Sequence, residues 1–315
     1  MTVRIPRRAL LAGALAFTLS APRAEGKKRK VGVTLHPYYS YVANIVGDRA
    51  EVVPLIPVGF NPHAYEPRAE DIRRVGTLDV VVLNGIGHDD FAERMIAASE
   101  NPSIPVIEAN RDVPLLAAVG GVSSRLGNSR TISGQVVNLH TFLSIAGAIQ
   151  QVQTIARDLG RLDPGNAADY ASNARAYARR LRTIRAAALS ELTGMPGTSF
   201  RVATIHGAYD YLLREFGLEV TAVVEPAHGI EPSPAQLAKT IDAIRALDVK
   251  VIFSELNFPS TYVETIERET GIRLYPLSHI IYGDYTPEKF ETEMAENFAT
   301  VVKAIREQGG AEGNP

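Results

Sequence analysis

The stretch Ala167-Ala-Asp-Tyr-Ala-Ser-Asn-Ala-Arg-Ala-Tyr-Ala-Arg-Arg-Leu-Arg-Thr-Ile-Arg-Ala-Ala-Ala-Leu-Ser-Glu-Leu192 decides how the rest of the chain is read. Its 26 residues are rich in Ala, Arg and Leu and contain neither Pro nor Gly. Residues of this kind favour helix, and at 1.5 Å per residue they predict a rod of roughly 39 Å. Asp163 supplies an N-cap and Pro164 suits the first turn. Gly194, Pro196 and Gly197 end the helix. A helix of that length can bridge two lobes.

Both flanks of this helix alternate strand with helix. Upstream, Val31-Gly-Val-Thr-Leu35, residues 52–56, Leu78-Asp-Val-Val-Val-Leu83 and residues 105–107 read as strands, separated by helices at about 38–46, 71–74 and 91–99. Residues 117–135, rich in Gly, Ser, Asn and Arg, predict an exposed loop, and a helix follows at about 141–159. Downstream, strands are expected at 201–205, 219–224, 249–254 and 273–276, with helices at 209–216, 234–247, 260–270 and 287–308. Nearly unbroken apolar strands between helices imply parallel sheets covered on both faces. The expected fold is α/β: two Rossmann-like β/α lobes with parallel sheets, joined by one long rigid helix and separated by a cleft. The N-terminal lobe is assigned to 25–163, the linking helix to 164–195 and the C-terminal lobe to 196–315.

Residues 1–24 read as a secretory signal peptide. Arg4, Arg7 and Arg8 precede the 11-residue apolar run Ala9–Leu19, with small residues and cleavage near Ala21 or Ala24. The run is too short to span a bilayer, which takes roughly 17–25 residues. Without this segment, 29 basic residues face 35 acidic ones, a net charge of −6. An acidic chain is a poor ligand for nucleic acid, whose phosphates need a basic face. No other apolar run is long enough for a membrane helix. The absence of any Cys excludes disulfides, thiolate metal sites and a lipidated cysteine. The expected product is a soluble, exported, periplasmic protein that is not lipid-anchored.

With no thiolate, a metal would fall to His, Asp or Glu, and there are seven His. His63 lies in the proline-bounded Asn61-Pro62-His63-Ala64-Tyr65-Glu66-Pro67, His140 in Asn138-Leu139-His140-Thr141-Phe142, and His206 in Thr204-Ile205-His206-Gly207 at a strand end. All three lie in or beside loops that lead into helices, where ligands of open α/β sheets collect. Three converging imidazoles would suit Zn²⁺. Their separations in sequence are no metal signature by themselves, and residue chemistry alone does not single these histidines out as ligands. His36, in Leu35-His36-Pro37, is a further cleft candidate. His88 and His228 read as surface residues in polar loops.

These segments resemble the metal-binding solute receptors of ABC importers, the cluster that captures zinc or manganese. The likeness runs from about Val31 to Ile305. Pro62-His63-Ala-Tyr65-Glu66-Pro67 is similar to the loop carrying that family's first ligand, Asn138-Leu139-His140 to its second segment with Leu139 in place of Pro, and Thr204-Ile205-His206-Gly-Ala-Tyr209 to its third. Glu231-Pro232-Ser233-Pro234 and Val251-Ile-Phe253-Ser-Glu255 match a following helix and strand. The resemblance implies His63, His140 and His206 as metal ligands, and as partner an ABC permease that a monomeric receptor would dock. The family's fourth ligand, an Asp, is replaced: the turn reads Leu274-Tyr275-Pro276-Leu277-Ser278-His279, with Tyr275 at the carboxylate position. A neutral phenol is a poor zinc ligand, which leaves water, His279, Glu255 or His36 for the fourth place. The 117–135 loop also lacks the His and acidic residues that many zinc receptors of the family carry there.

Zinc is the preferred cargo, because harder ions such as manganese favour oxygen donors. Manganese, iron or a metal–chelator complex is the alternative. A His₃-zinc hydrolase using Glu66 or Glu255 as base is a further one; the reading adopted is a receptor and not an enzyme. A long rigid helix implies small lobe motion on metal binding.

Overall fold

The computed structural model describes residues 28–119, 131–132, 134–195, 200–224, 233–256 and 260–309. The leader assigned to 1–24, His228 and the Glu231-Pro232 pair lie outside the described residues.

The first half runs β1 (Arg29–Val33), α1 (His36–Val46), β2 (Ala50–Pro54), α2 (Ala69–Val75), β3 (Val80–Leu83), α3 (Asp90–Ala98) and β4 (Val106–Glu108). A small hairpin, β5 (Thr131–Ile132) and β6 (Gln135–Val136), precedes α4 (Ile145–Leu162) and α5 (Ala167–Ser190). The second half runs β7 (Arg201–Thr204), α6 (Asp210–Arg214), β8 (Val220–Val223), α7 (Pro234–Ala246), β9 (Val249–Glu255), α8 (Ser260–Thr270), β10 (Leu274–Leu277) and α9 (Lys289–Gly309). The hairpin corrects the expectation of a plain loop over 117–135.

Each half holds a four-stranded parallel sheet, and the strand order is the same in both: β2-β1-β3-β4 and β8-β7-β9-β10. The order reverses direction between β1 and β3 and again between β7 and β9. Ligands of such sheets bind beyond the carboxyl ends of the strands at these reversals, so the loops after β1, β3, β7 and β9 are the places to look.

Alternate strand residues point to opposite faces. Val80 and Val82 join the core shared with α1, α4 and α5, while Val81 and Leu83 pack with Phe91 and Met95 of α3. In the second sheet Val202, Val251 and Phe253 face the shared core, and Ala203 and Ile252 face Ile244 and Ile266. The shared core is one cluster running from Val31 to Ile305, so the lobes are not two bodies on a bare rod. The α5 helix, about 36 Å long at 1.5 Å per residue, buries Tyr170, Ala174, Tyr177 and Leu181 against α1, α4 and α9. Tyr41 of α1 meets the Phe290 ring of α9 edge-on at 4.8 Å. The C-terminal helix therefore braces the first lobe as well as its own.

The α4 helix begins at Ile145, later than the expected 141, because Ser144 caps it by accepting a bond from Gly147 N at 3.0 Å. A Cβ on residue 147 would sit 2.6 Å from the Thr141 carbonyl. Glycine there allows the tight loop 138–144 that carries His140.

Candidate metal centre

Four histidines from four separate loops converge. His63 stands in a short 3-10 turn after β2, His140 before α4, His206 after β7 and His279 after β10. One nitrogen of each lies within 4.8 Å of one nitrogen of every other. His140 Nε2 is 3.4 Å from His63 Nε2 and 3.3 Å from His206 Nε2. An ion holding nitrogens at 2.0–2.1 Å in a tetrahedron spaces them about 3.3–3.4 Å apart, so the observed separations are those of a tetrahedral edge. His63 is half-buried and the other three are buried.

Each loop is held by partners behind it. Asn61 accepts a bond from His63 N at 2.9 Å, and Tyr65 two residues on donates its hydroxyl to the buried Asp71 at 2.6 Å. Asn138 Oδ1 accepts from both the backbone N and Nδ1 of His140, each at 3.0 Å. With its proton on Nδ1, His140 turns the Nε2 lone pair toward the other rings, as a second-layer partner of a metal-binding imidazole does. The Asn138 amide then crosses to the other lobe, donating to Gly207 O at 3.1 Å and Asp210 Oδ2 at 2.7 Å. Tyr211 donates to Asn138 O at 3.0 Å. His279 follows a turn fixed by Asn297 of α9, which accepts from Ser278 N at 2.7 Å and donates to Ser278 O at 2.9 Å. Ile280, next in the chain, has φ +59. A β-branched residue in the left-handed region is strained, and such strain gathers at functional sites.

The electrostatics favour a neutral imidazole at His140. Burial, and then the neighbouring His206, His279, His88 and His63, hold His140 well below the ordinary histidine range. Metal binding needs that neutral form. Burial likewise raises Asp210 to about 6.

The sequence-based candidates divide. His63, His140 and His206 come together, and His279 takes the fourth place in the cluster. Glu255 ends β9 with its Oε1 3.6 Å from His279 Nδ1, beside the cluster and not in it. His36 also stands outside: its Nε2 lies 2.8 Å from Gly283 O, and its ring stacks on Tyr285 at 3.8 Å. It fastens the 280–288 segment, which directly follows His279, to α1. Tyr275 points elsewhere altogether, donating to Glu307 at 2.5 Å from within β10.

His88 corrects the expectation of a surface residue: it is 5% exposed, with its ring centre 4.4 Å from His63 and 5.2 Å from His140. The usable signal was its place two glycines after β3, at a reversal of strand order. The roles of Asn138 and Asp210 left no local signal.

The model of a family described as the periplasmic component A of the zinc-uptake complex matches residues 31–304. The chain belongs to this family. It is thus a metal-binding, substrate-binding component of the ABC-importer type, as the resemblance implied, and the fold read from the alternation is that of the family. The solute-binding protein FpvC of Pseudomonas aeruginosa in complex with Mn²⁺ is 72% identical, covering 90% of this chain and 100% of that one at a TM-score of 0.83. Its Ni²⁺ complex is 70% identical, with coverage of 90% and 98% and a TM-score of 0.81. The zinc-binding lipoprotein AdcA of Streptococcus pneumoniae is 27% identical over 96% of this chain, which spans 61% of that relative's length. The manganese-binding lipoprotein MntA of Halalkalibacterium halodurans is 23% identical, over 84% of this chain and 83% of its own. No helix among the described residues is long and apolar enough to cross a membrane.

Proposed function

We propose that this chain is an exported periplasmic receptor that captures a divalent transition metal, Zn²⁺ in preference, and delivers it as a monomer to an ABC permease. One observation carries the reading: four imidazoles, His63 and His140 from the first lobe and His206 and His279 from the second, bring one nitrogen each to within 4.8 Å of one another, with His140 at tetrahedral-edge distance from His63 and His206. An ion there would tie the lobes together. Four nitrogen donors with no carboxylate suit Zn²⁺ better than harder ions. The closed set also weighs against a hydrolase, because a catalytic zinc keeps one position for water. It weighs against a chelated metal, which brings its own donors. Export without a lipid anchor rests on the basic and apolar leader and on the lack of any cysteine. Division of the chain at 164–195 rests on α5 falling, in chain order, between the strands of the first sheet and those of the second.

A second reading is a receptor of broader choice. The complexes of FpvC with Mn²⁺ and Ni²⁺, at about 70% identity, favour it.

Melting of the metal-free protein with Zn²⁺, Mn²⁺ and anaerobic Fe²⁺, beside His140→Ala and His279→Ala, tests both. An ion at 1,000 times its Kd stabilises by about 4.1 kcal/mol if it binds the folded state alone. A Zn²⁺ shift of that order, lost in both variants, is the expected result. No shift with any ion would overturn the receptor reading.

A further inference from the structure

We propose that Tyr285 governs metal exchange: its hydroxyl holds shut the side of the site where the His63 and His279 loops meet, and the ion enters and leaves on that side. The inference rests on the receptor reading and adds to it the residue that sets the rate of capture and release.

The two lobes share one apolar core from Val31 to Ile305. Parting them as bodies would expose that core to water, whereas a local opening of loops leaves it intact. Two clasps cross the cleft at the histidines. One ties the His140 loop to the His206 loop: Asn138 donates to Gly207 O and Asp210 Oδ2, and Tyr211 donates to Asn138 O. Asn138, Asp210 and Tyr211 are all buried. The other ties the His63 loop to the His279 loop, whose rings stand 5.6 Å apart. Tyr285, a short way past His279, donates its hydroxyl to Ile56 O at 2.9 Å, where the chain leaves β2 toward His63.

The second clasp is the one placed to open. His63 and Tyr285 are half-buried, and the chain beside each is exposed: Val58, Gly59 and Phe60 in one loop, Gly283 and Asp284 in the other. Hydrogen bonds in exposed loops break in local openings long before those of a buried network. The segment bearing Tyr285 also has a fixed end from which to swing. Ser40 of α1 donates to Thr286 O at 2.9 Å, and Asn44 to Pro287 O at 2.8 Å. The His36 ring stacks on Tyr285 at 3.8 Å with the planes 6° apart, and its Nε2 lies 2.8 Å from Gly283 O. This stack holds the phenol where its hydroxyl reaches Ile56. The hydroxyl is thus a single neutral bond across the exposed side of the cleft, while the opposite side is closed by three buried ones.

The test loads wild type, Tyr285→Phe and Tyr211→Phe with Zn²⁺ and, in parallel, with Mn²⁺. Release is timed by stopped flow into excess fluorescent chelator, Kd is read by chelator competition, and the ratio of the two gives the rate of uptake. Tyr285→Phe keeps the ring on His36 and removes only the bond to Ile56 O. Its release should quicken at least about threefold, the effect of losing one neutral hydrogen bond. Its Kd should stay close to that of the wild type, so that uptake quickens as well. A latch slows passage in both directions, whereas damage to the ligand arrangement speeds release alone. Tyr211→Phe weakens the buried clasp and should leave the release rate near that of the wild type. A smaller change in the release of Tyr285→Phe would overturn the proposal. So would a Kd that rises by the same factor as the release rate, or an equal quickening in Tyr211→Phe. A wild type that binds neither ion would overturn the receptor reading itself; a wild type that binds, beside an unchanged Tyr285→Phe, would overturn the latch alone.

Discussion

Replacing Asn138 by Ala should damage the fold and the metal site together, in measurable proportion. Its side chain makes four hydrogen bonds: two accepted from His140, one donated to Gly207 O and one to Asp210 Oδ2. The last two join the lobes. Truncation leaves the His140 amide, the Gly207 carbonyl and the buried Asp210 carboxyl short of a partner. A buried polar group so left costs about 1–3 kcal/mol, so the metal-free variant should lose at least about 3 kcal/mol in urea unfolding. His140 also loses the acceptor that orients its ring, and loss of such a partner weakens metal binding about 10–100-fold. Competition titration with a zinc chelator reads that second figure. Asn138→Asp separates the two effects. It keeps an acceptor for His140 but sets a second carboxylate against Asp210, so one of the pair must hold a proton. A carboxyl with a raised pKa favours the folded state at low pH and loses that contribution as pH rises through the raised value. The Asp variant should therefore recover stability at pH 5 relative to pH 7.5, and the Ala variant should not. Stability within 1 kcal/mol of wild type together with zinc affinity within threefold, in Asn138→Ala, would refute the bridging role.

Two further predictions concern the braces around the site. Burial lowers His36 to about 4 from an unfolded value of 6.5, so the unfolded chain takes up a proton that the folded one refuses. Its contribution is present above pH 6.5 and disappears as pH falls toward 4, about 3 kcal/mol over the whole window. Asp89 and Asp210, both raised to about 6, act with the opposite sign. The difference between wild type and His36→Phe in urea melts from pH 7 to 4.5 isolates the histidine: the wild type should lose more on acidification, and parallel curves would contradict this. Glu215, from the second lobe, accepts Ser144 Oγ at 2.7 Å and Ala146 N at 3.0 Å at the start of α4, and Arg185 Nε at 2.6 Å. Arg185 is 42% exposed and returns to water when the pair is broken, so Glu215→Ala should cost about 2 kcal/mol, chiefly from the α4 terminus. A change below 0.5 kcal/mol in the melt would show that the cap is not needed.

The sequence by itself determined the alternation of strand and helix, the long helix from Ala167 and three of the four clustered histidines. Those features are local: apolar runs, helix formers without Gly or Pro, and loop motifs around His63, His140 and His206. Element ends were legible to within a few residues, and the departure at α4 came from a cap that depends on how closely Gly147 approaches Thr141. Tertiary structure decided the rest. His36 and His88 exchanged places relative to expectation. His36 is turned by the first turn of α1 onto Gly283 and Tyr285, while positive φ at Gly85 and Gly87 and the bonds to Asp89 carry His88 inward. His279, one of the choices the sequence left open for the fourth place, joins the cluster because β10 ends at Leu277 and a turn pinned by Asn297 of α9 delivers the histidine to the cleft. The pinning residue lies 19 positions along the chain, and the clustered histidines lie 77, 66 and 73 positions apart. Periodicity reports which face a side chain takes on its own element. Which loops share a point in space depends on how two sheets pack around a common core, and no short window of sequence contains that.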